Sequence, residues 1–139
     1  VPQTFLEEAM IETVAHEVGH TLGLRHNFKA STAWSQEQTN TRSWTTVHGI
    51  SASVMDYNPV NVPSNRTLQG QYYTTVVGPY DKHAIRYGYT PVDGELSGEQ
   101  HPTLASIAAE SSARHELNFA TDEDAPRSNG NDPTVSTWD

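Results

Sequence analysis

The sequence predicts a mainly α-helical fold with long irregular loops, and three observations support this fold class. An unbroken run without proline extends over residues 4–22, which is long enough for roughly five helical turns. Residues 51–78 contain an Asn-Pro pair, a Val-Pro pair and Gly70, and these favour loops over repeating structure. Only a short stretch around Leu117 and Phe119 alternates apolar and polar residues as a β-strand does.

The composition limits the class of protein and the kind of site. The chain has 139 residues, the size of one domain, so we interpret residues 1–139 as a single unit. It has no cysteine, which excludes a disulfide scaffold and a thiol nucleophile, so a metal site must use histidine and carboxylate ligands. Seventeen Asp and Glu against eight Lys and Arg give a net charge of −9, which argues against nucleic acid as a partner. No apolar run approaches 18 residues, so no transmembrane segment is predicted.

Two further features indicate that this chain is a piece of a longer polypeptide. Hydrophobic residues make up 35% of the chain, which is low for a self-sufficient globular domain. The first residues, Val1 to Thr4, include no initiator methionine and no secretory signal pattern. We therefore expect an upstream part of the same polypeptide to complete the domain.

The first predicted helix spans Thr4 to Leu22. Thr4 and Glu7 have the spacing of a capping box, and Gly23 is placed to end the helix. One face carries an apolar stripe of Ile11, Val14, Val18 and Leu22. The nearly opposite face gathers Leu6, Ala9, Thr13, His16, Glu17 and His20. Both faces need partners, so either the histidines face an ordinary core or the helix lies between a sheet and a metal site.

Two further helices are predicted in the middle of the chain, one on each side of the irregular stretch 51–78. The polar residues 30–46 are predicted as a loop that leads into a short helix, Thr41 to His48, ended by Gly49. After the irregular stretch, a helix is predicted over Pro79 to Tyr87. Its first position is proline, and Gly88 is placed to end it.

The last third of the chain is predicted to hold one more helix and a strand. The helix opens at His101-Pro102 and continues through Ala113. Leu117 and Phe119 then predict a short strand. Residues 121–139 are acidic and contain two prolines and a glycine, so we expect them to lie on the surface as coil.

Residues 16–26 carry the motif H-E-x-x-H-x-x-G-x-x-H, which predicts a metal site. His16 and His20 are four positions apart, so they project from one face of the helix and can share a metal ion. Gly23 can adopt a positive φ at little cost, which lets the chain turn so that His26 becomes the third ligand. Glu17 is poorly placed as a ligand but can take a proton from a water molecule. Three imidazoles leave a fourth position open on zinc, as in catalytic sites.

Two alternatives to a catalytic site stay open at this stage. The histidines of the motif could be ordinary core or surface residues. The chain could also bind zinc without catalysis, as a zinc-stabilised binding module or an inactive homologue. A fourth protein ligand would favour the structural module, whereas an open fourth position would favour the enzyme.

A second motif, Ser53 to Tyr57, resembles the Met-turn of metzincins, in which a methionine forms an apolar floor beneath the zinc ligands. Taken alone, Met55 is a common type of core filler. Downstream of the zinc motif it is expected to support the ligand cage. Tyr57 follows two residues later, where some metzincins hold a tyrosine that contacts the zinc or hydrogen-bonds the tetrahedral intermediate. A buried tyrosine with a satisfied hydroxyl is the alternative.

The two motifs together resemble metzincin zinc peptidases. Asn27, after the third histidine, differs from the residue found there in matrixins, serralysins, astacins and adamalysins. The chain is most similar to the large bacterial metallopeptidases called Met-zincin, with pappalysins as neighbours. The similarity includes residues 49–57, residues 78–89 and the acidic segment 121–133, and therefore covers most of the chain.

The resemblance implies a zinc-dependent endopeptidase that binds one Zn²⁺ and takes a peptide or protein as substrate. It implies His16, His20 and His26 as ligands, Glu17 as general base, Tyr57 as an aid to the oxyanion and Met55 as structural support. It also implies an α+β domain when complete, whose sheet lies upstream of this chain, since the helix begins by Thr4. An exported bacterial protein is expected, periplasmic, surface-attached or secreted.

Weaker candidates remain outside the two motifs. Four further histidines lack metal-ligand spacing and are expected to be surface or helix residues: His48, His83, His101 and His115. A Ca²⁺ site is a second, weaker possibility for the acidic segment, against a solvated acidic loop. Its candidate ligands are Asp122, Glu123, Asp124, Asn129, Asn131 and Asp132. Trp34 and Trp44 either shape a substrate cleft or cover one end of the core.

Overall fold

A computed structural model describes residues 1–94 and 101–125, apart from the side chain of Arg66. The described residues form helices and loops and contain no β-strand, which confirms the mainly helical prediction. None of these helices is both long and apolar enough to cross a membrane. The α-helices are α1 Gln3–Thr21, α2 Gln36–Thr39, α3 Arg42–His48, α4 Pro79–Tyr89 and α5 Pro102–Ala109. Single 3₁₀ turns occur at Ala30–Ala33, Arg66–Leu68, Glu110–Ser112 and His115–Leu117.

The helix α1 begins one residue earlier than predicted, and the capping box was wrong. Pro2 is the N-cap, and its carbonyl accepts a hydrogen bond from the Phe5 amide at 3.1 Å. Thr4 therefore lies inside the first turn, where its hydroxyl cannot cap the helix. The end of α1 agrees with the prediction, since Gly23 has a φ of +85° and turns the chain away.

Between α1 and α4 the short helices follow local capping signals. The predicted helix before Gly49 is confirmed as α3, with Thr41 as its N-cap and Gly49 at a φ of +72°. The helix α2 was not predicted. Ser35 accepts a hydrogen bond from the Gln38 amide, and the Gln38 side chain accepts one from the Ser35 amide at 2.8 Å. This capping box stabilises a single turn too short to show periodicity.

The later helices α4 and α5 end at other residues than predicted. The helix α4 continues through Gly88 and ends at Tyr89, with Thr90 as its C-cap. The reason is that Thr90 precedes Pro91, and a residue before proline is pushed out of the helical region. The helix α5 ends at Ala109, but the 3₁₀ turn that follows reaches Ser112, one residue short of the predicted end.

The predicted strand at Leu117 and Phe119 was wrong. Leu117 ends a 3₁₀ turn and is buried, whereas Phe119 is 45% exposed and stacks against Tyr80. The backbone beyond Leu117 pairs with the loop after α1, because the Phe28 amide donates to the Ala120 carbonyl at 2.8 Å. The alternation of residue types there reflects one buried and one exposed side chain rather than a ladder.

The buried interior is built largely from loops. Its most buried apolar side chains are Phe28, Ala52, Met55 and Leu117, and they lie among buried polar residues such as Asn27, Thr45, Ser53, Thr74 and Asp81. By contrast, the apolar stripe of α1 is open to solvent, with its four side chains between 44% and 59% exposed. It forms one wall of a groove of about 520 Å³ whose other wall includes Val54, Val77 and Ile85.

The approach of α4 to residues 52–54 depends on Gly78. A Cβ at this position would lie 1.9 Å from the Ala52 carbonyl oxygen, which is backbone and cannot move aside. We expect Gly78→Ala to reduce the free energy of unfolding by about 3 kcal/mol. Gly88→Ala in the same helix is the control, because its Cβ would meet no described atom within 4 Å apart from its chain neighbours and the backbone of its own helix, and it should be neutral or slightly stabilising. Denaturant unfolding of both variants measures the difference; equal stability of the two would contradict this account.

Candidate metal centre

Three histidines meet at the C-terminal half of α1. His16 and His20 project from successive turns of the helix, and the turn at Gly23 returns the chain so that His26 faces them. One ring nitrogen from each lies within 4.8 Å of those from the other two. The ring centroids are 4.7 Å apart for His16 and His20, 4.9 Å for His20 and His26, and 5.3 Å for His16 and His26.

Each histidine is held by a hydrogen bond at its Nδ1 atom. His16 donates to the Val54 carbonyl at 2.7 Å and His20 to the Leu24 carbonyl at 2.9 Å. His26 donates to the carboxylate of Asp122, with 3.1 Å between Nδ1 and Oδ1. A carbonyl oxygen only accepts, so the proton of the neutral ring sits on Nδ1 and the Nε2 lone pair is available to a metal.

These residues fit a zinc ion. The Nε2 atom of His26 is buried and has no hydrogen-bond partner among the described residues, which is costly unless a ligand satisfies it. Burial lowers the pKa of His16, so that ring is neutral at physiological pH. Neutral imidazoles are the form that binds Zn²⁺, and three of them are a common set in catalytic zinc sites.

The Met-turn lies directly beneath the histidines. Met55 is fully buried, and a Cβ added at Gly19 would lie 2.3 Å from its Sδ atom. The glycine between His16 and His20 therefore leaves the space that the methionine occupies. The turn is also tied to the third ligand's loop, since the Asn27 amide donates to the Met55 carbonyl at 2.9 Å.

A buried carboxylate holds the Met-turn in place. Asp81, at the start of α4, accepts hydrogen bonds from the Ser53 hydroxyl, the Val54 amide at 3.0 Å and the Gly78 amide at 2.8 Å. Val54 in turn provides the carbonyl that orients His16. Sequence reasoning missed Asp81, although its place in the first turn after Gly78-Pro79 is typical of a helix-capping carboxylate.

The comparison with known proteins agrees with this geometry. A family model described as Met-zincin matches residues 1–139, the whole chain. The chain belongs to the Met-zincin family. No curated protein and no solved structure matches it. Membership in Met-zincin and the histidine cluster together indicate a metallopeptidase-like protein with a zinc-type site.

In this Met-zincin, Tyr57 lies over the histidine cluster. Its ring stacks on His16 at a centroid distance of 5.3 Å and lies 4.5 Å from the ring of His26. Tyr57 is 42% exposed, so it is not the buried core tyrosine of the alternative interpretation. Its ring lines an open cavity beside His16.

An open cavity of about 400 Å³ adjoins the histidine cluster of this Met-zincin on the side of His16. Glu17 is exposed and lines it together with His16 and Tyr57. Two more carboxylates lie in the wall but serve the fold. Glu12 accepts from the Thr74 amide at 2.9 Å, and burial raises its pKa to about 7. Asp56 accepts from the Ser31 amide at 2.7 Å, and burial raises its pKa as well.

The remaining candidates have local roles in the described part of the chain. His48 stacks on Trp44, which contacts Trp34, and the three form an aromatic cluster. His101 caps α5 by accepting from the Thr103 amide at 3.2 Å. The His115 ring donates a hydrogen bond to the Thr32 carbonyl at 2.9 Å. Burial lowers the pKa of His83.

The possible calcium ligands divide into two groups. Asp122 bonds to His26, Glu123 pairs with Arg25, and Asp124 accepts from the Thr121 amide at 2.9 Å. These three carboxylates are thus bound to other protein groups. Asn129, Asn131 and Asp132 lie outside the described residues.

Proposed function

We propose that the chain carries the catalytic centre of a zinc-dependent endopeptidase that hydrolyses peptide bonds. The observation that supports it best is the arrangement of the three histidines, each fixed through Nδ1, around one point beside an open cavity lined by Glu17. His16, His20 and His26 are the residues that hold the metal. When bound, Zn²⁺ supplies a Lewis acid that polarises the substrate carbonyl and makes a water molecule more acidic.

The chain's own residues supply the proton transfer. Glu17 follows His16 on α1 and is solvent-accessible in the cavity, so it can accept a proton from the attacking water. It then returns that proton to the amine of the leaving peptide. The histidines need no proton transfer of their own, because their Nδ1 protons are committed to Val54, Leu24 and Asp122.

A non-catalytic zinc module is the weaker candidate. In the described part of the chain the cluster contains three groups, and no fourth histidine or carboxylate joins them. A structural zinc site is usually closed by four protein ligands. The module would also leave Glu17 and the adjoining cavity without a role.

Metal analysis tests the proposed site. The purified, dialysed protein should contain about one zinc per chain, and His20→Ala should lose it, because two remaining imidazoles hold zinc weakly. His101→Ala is the control, since His101 caps α5 and has no place in the cluster. Equal zinc content in the wild type and His20→Ala would contradict the ligand assignment.

Tyr57 is proposed to stabilise the oxyanion of the tetrahedral intermediate. Its position against His16 and His26 at the cavity wall supports this role. In the complete enzyme, Tyr57→Phe should lower kcat by roughly 10²-fold, with zinc content and melting temperature unchanged. Steady-state kinetics and thermal unfolding check the prediction. A lower melting temperature with unchanged kcat would assign Tyr57 a structural role instead.

The proposal also includes an upstream sheet and export from a bacterial cell. The exposed apolar stripe of α1 supports the sheet, because so much apolar surface on one helix face is costly unless another element covers it. Export rests on the family resemblance alone.

A further inference from the structure

The segment 118–124 lies along the loop that carries the third histidine, and we call it the docking segment. The Phe28 amide donates to the Ala120 carbonyl at 2.8 Å, and the Asn27 side chain donates to the Asn118 carbonyl at 3.0 Å. The Ala120 amide donates back to the Asn27 Oδ1 atom at 3.3 Å. Asn27, Phe28 and Ala120 are all buried, so this contact is a packed part of the interior.

A salt bridge fixes the far end of the docking segment. The Arg25 guanidinium donates to both oxygens of Glu123, at 2.8 and 2.7 Å. Both side chains are exposed, so the pair contributes little to overall stability. Both bonds come from the Arg25 Nη2 atom, which also lies 3.7 Å from the Asp122 Oδ2 atom, so Arg25 keeps Asp122 close to the loop of His26.

The three histidines differ in what holds them. His16 and His20 stand on α1, so the helix fixes the position of each, and their Nδ1 partners are backbone carbonyls. His26 lies outside any helix, after the turn at Gly23, and its Nδ1 partner is a charged side chain from 96 residues later. The orientation of the third ligand thus depends on a contact that is distant in sequence.

We propose that Asp122 is the positioning residue for His26 and that docking of segment 118–124 and binding of the metal stabilise each other. A carboxylate on the far nitrogen of a metal-binding imidazole fixes its tautomer and orientation and makes it a stronger ligand. By reciprocity, a metal that requires the oriented His26 favours the docked segment by the same factor. The inference rests on the zinc site of the proposed function but does not require catalysis.

Zinc affinity tests the role of Asp122. The full chain, stripped of metal, is titrated with zinc against a chromophoric chelator. Asp122→Ala should bind zinc about 10- to 100-fold more weakly than the wild type. The control is Asp124→Ala, which removes the same charge two residues away and breaks the bond to the Thr121 amide but not the one to His26. It should retain wild-type affinity within about threefold.

A second variant separates the effect of the hydrogen-bond acceptor from that of its negative charge. Asp122→Asn keeps an oxygen that can accept from His26 but loses the charge, so its affinity should lie between those of the wild type and Asp122→Ala. The Asp122 side chain is 53% exposed, which makes loss of folding unexpected. If Asp122→Ala does not fold, Asp122→Asn decides, and wild-type affinity in that variant would overturn the inference.

Hydrogen exchange tests the coupling without any measurement of activity. Zinc should slow exchange of the Phe28 amide, which donates to the docking segment, in the wild type and much less in Asp122→Ala. Equal zinc affinity in wild type and Asp122→Ala, or equal protection by zinc in both, would overturn this inference alone. A wild-type chain that binds no zinc at all would overturn the proposed function as well.

Discussion

Replacing Glu17 with glutamine is expected to lower kcat for peptide hydrolysis by about 10³-fold in the complete enzyme, with zinc content unchanged. The amide has nearly the shape of the carboxylate but cannot accept a proton from water. Glu17 is exposed on α1 beside the histidines, so its replacement should not disturb packing. Steady-state kinetics and metal analysis on the same preparations measure the two quantities.

Glu12→Gln provides a matched control for this experiment. Glu12 lines the same cavity five residues before Glu17 on α1, so the substitution also removes a carboxyl group from the cavity wall. Its oxygen accepts from the Thr74 amide, a bond that the glutamine carbonyl can keep. We expect Glu12→Gln to keep kcat within a few-fold of the wild type. If Glu17→Gln turned over peptides as fast as the Glu12→Gln control, Glu17 would have no part in proton transfer.

The parts of the site that the sequence predicted are local in the chain. The spacing of His16 and His20 is a property of one helix, and the positive φ of Gly23 is a property of one residue. Met55 was predicted only because its motif resembles a known turn, and its burial beneath α1 agrees with that resemblance. Residues a few positions apart in a helix have a fixed arrangement in space, so a short spacing in the sequence predicts how their side chains are placed.

The parts that the sequence did not predict join distant segments. Asp122 and His26 are 96 positions apart, and Asp81 and Ser53 are 28 apart. No periodicity relates such pairs, since their approach depends on how loops fold back on the helices. The error at Leu117 has the same origin, because a strand pattern in one segment does not specify whether a partner strand exists.

The last prediction concerns the surface that substrate needs in addition to the metal. The sheet proposed upstream of the active-site helix would offer an edge strand that can pair with an extended substrate. In the described residues no strand is present, and the apolar stripe of α1 lines an open groove of about 520 Å³. A substrate held by strand pairing gains main-chain hydrogen bonds and a fixed path across the metal.

Loss of that orientation raises the activation barrier for hydrolysis by several kcal/mol. We therefore expect residues 1–139 alone to hydrolyse peptides about 10³-fold more slowly than a protein extended upstream of Val1 by about 100 residues. Both proteins are assayed against the same mixed peptide library after zinc analysis, so that unequal metal content cannot explain the difference. The extension should also cover Val14 and Val18 and thereby slow hydrogen exchange in α1. Comparable specific activity in the two proteins would show that the histidine cluster, the cavity and the Met-turn suffice for catalysis, and that the proposed sheet is dispensable.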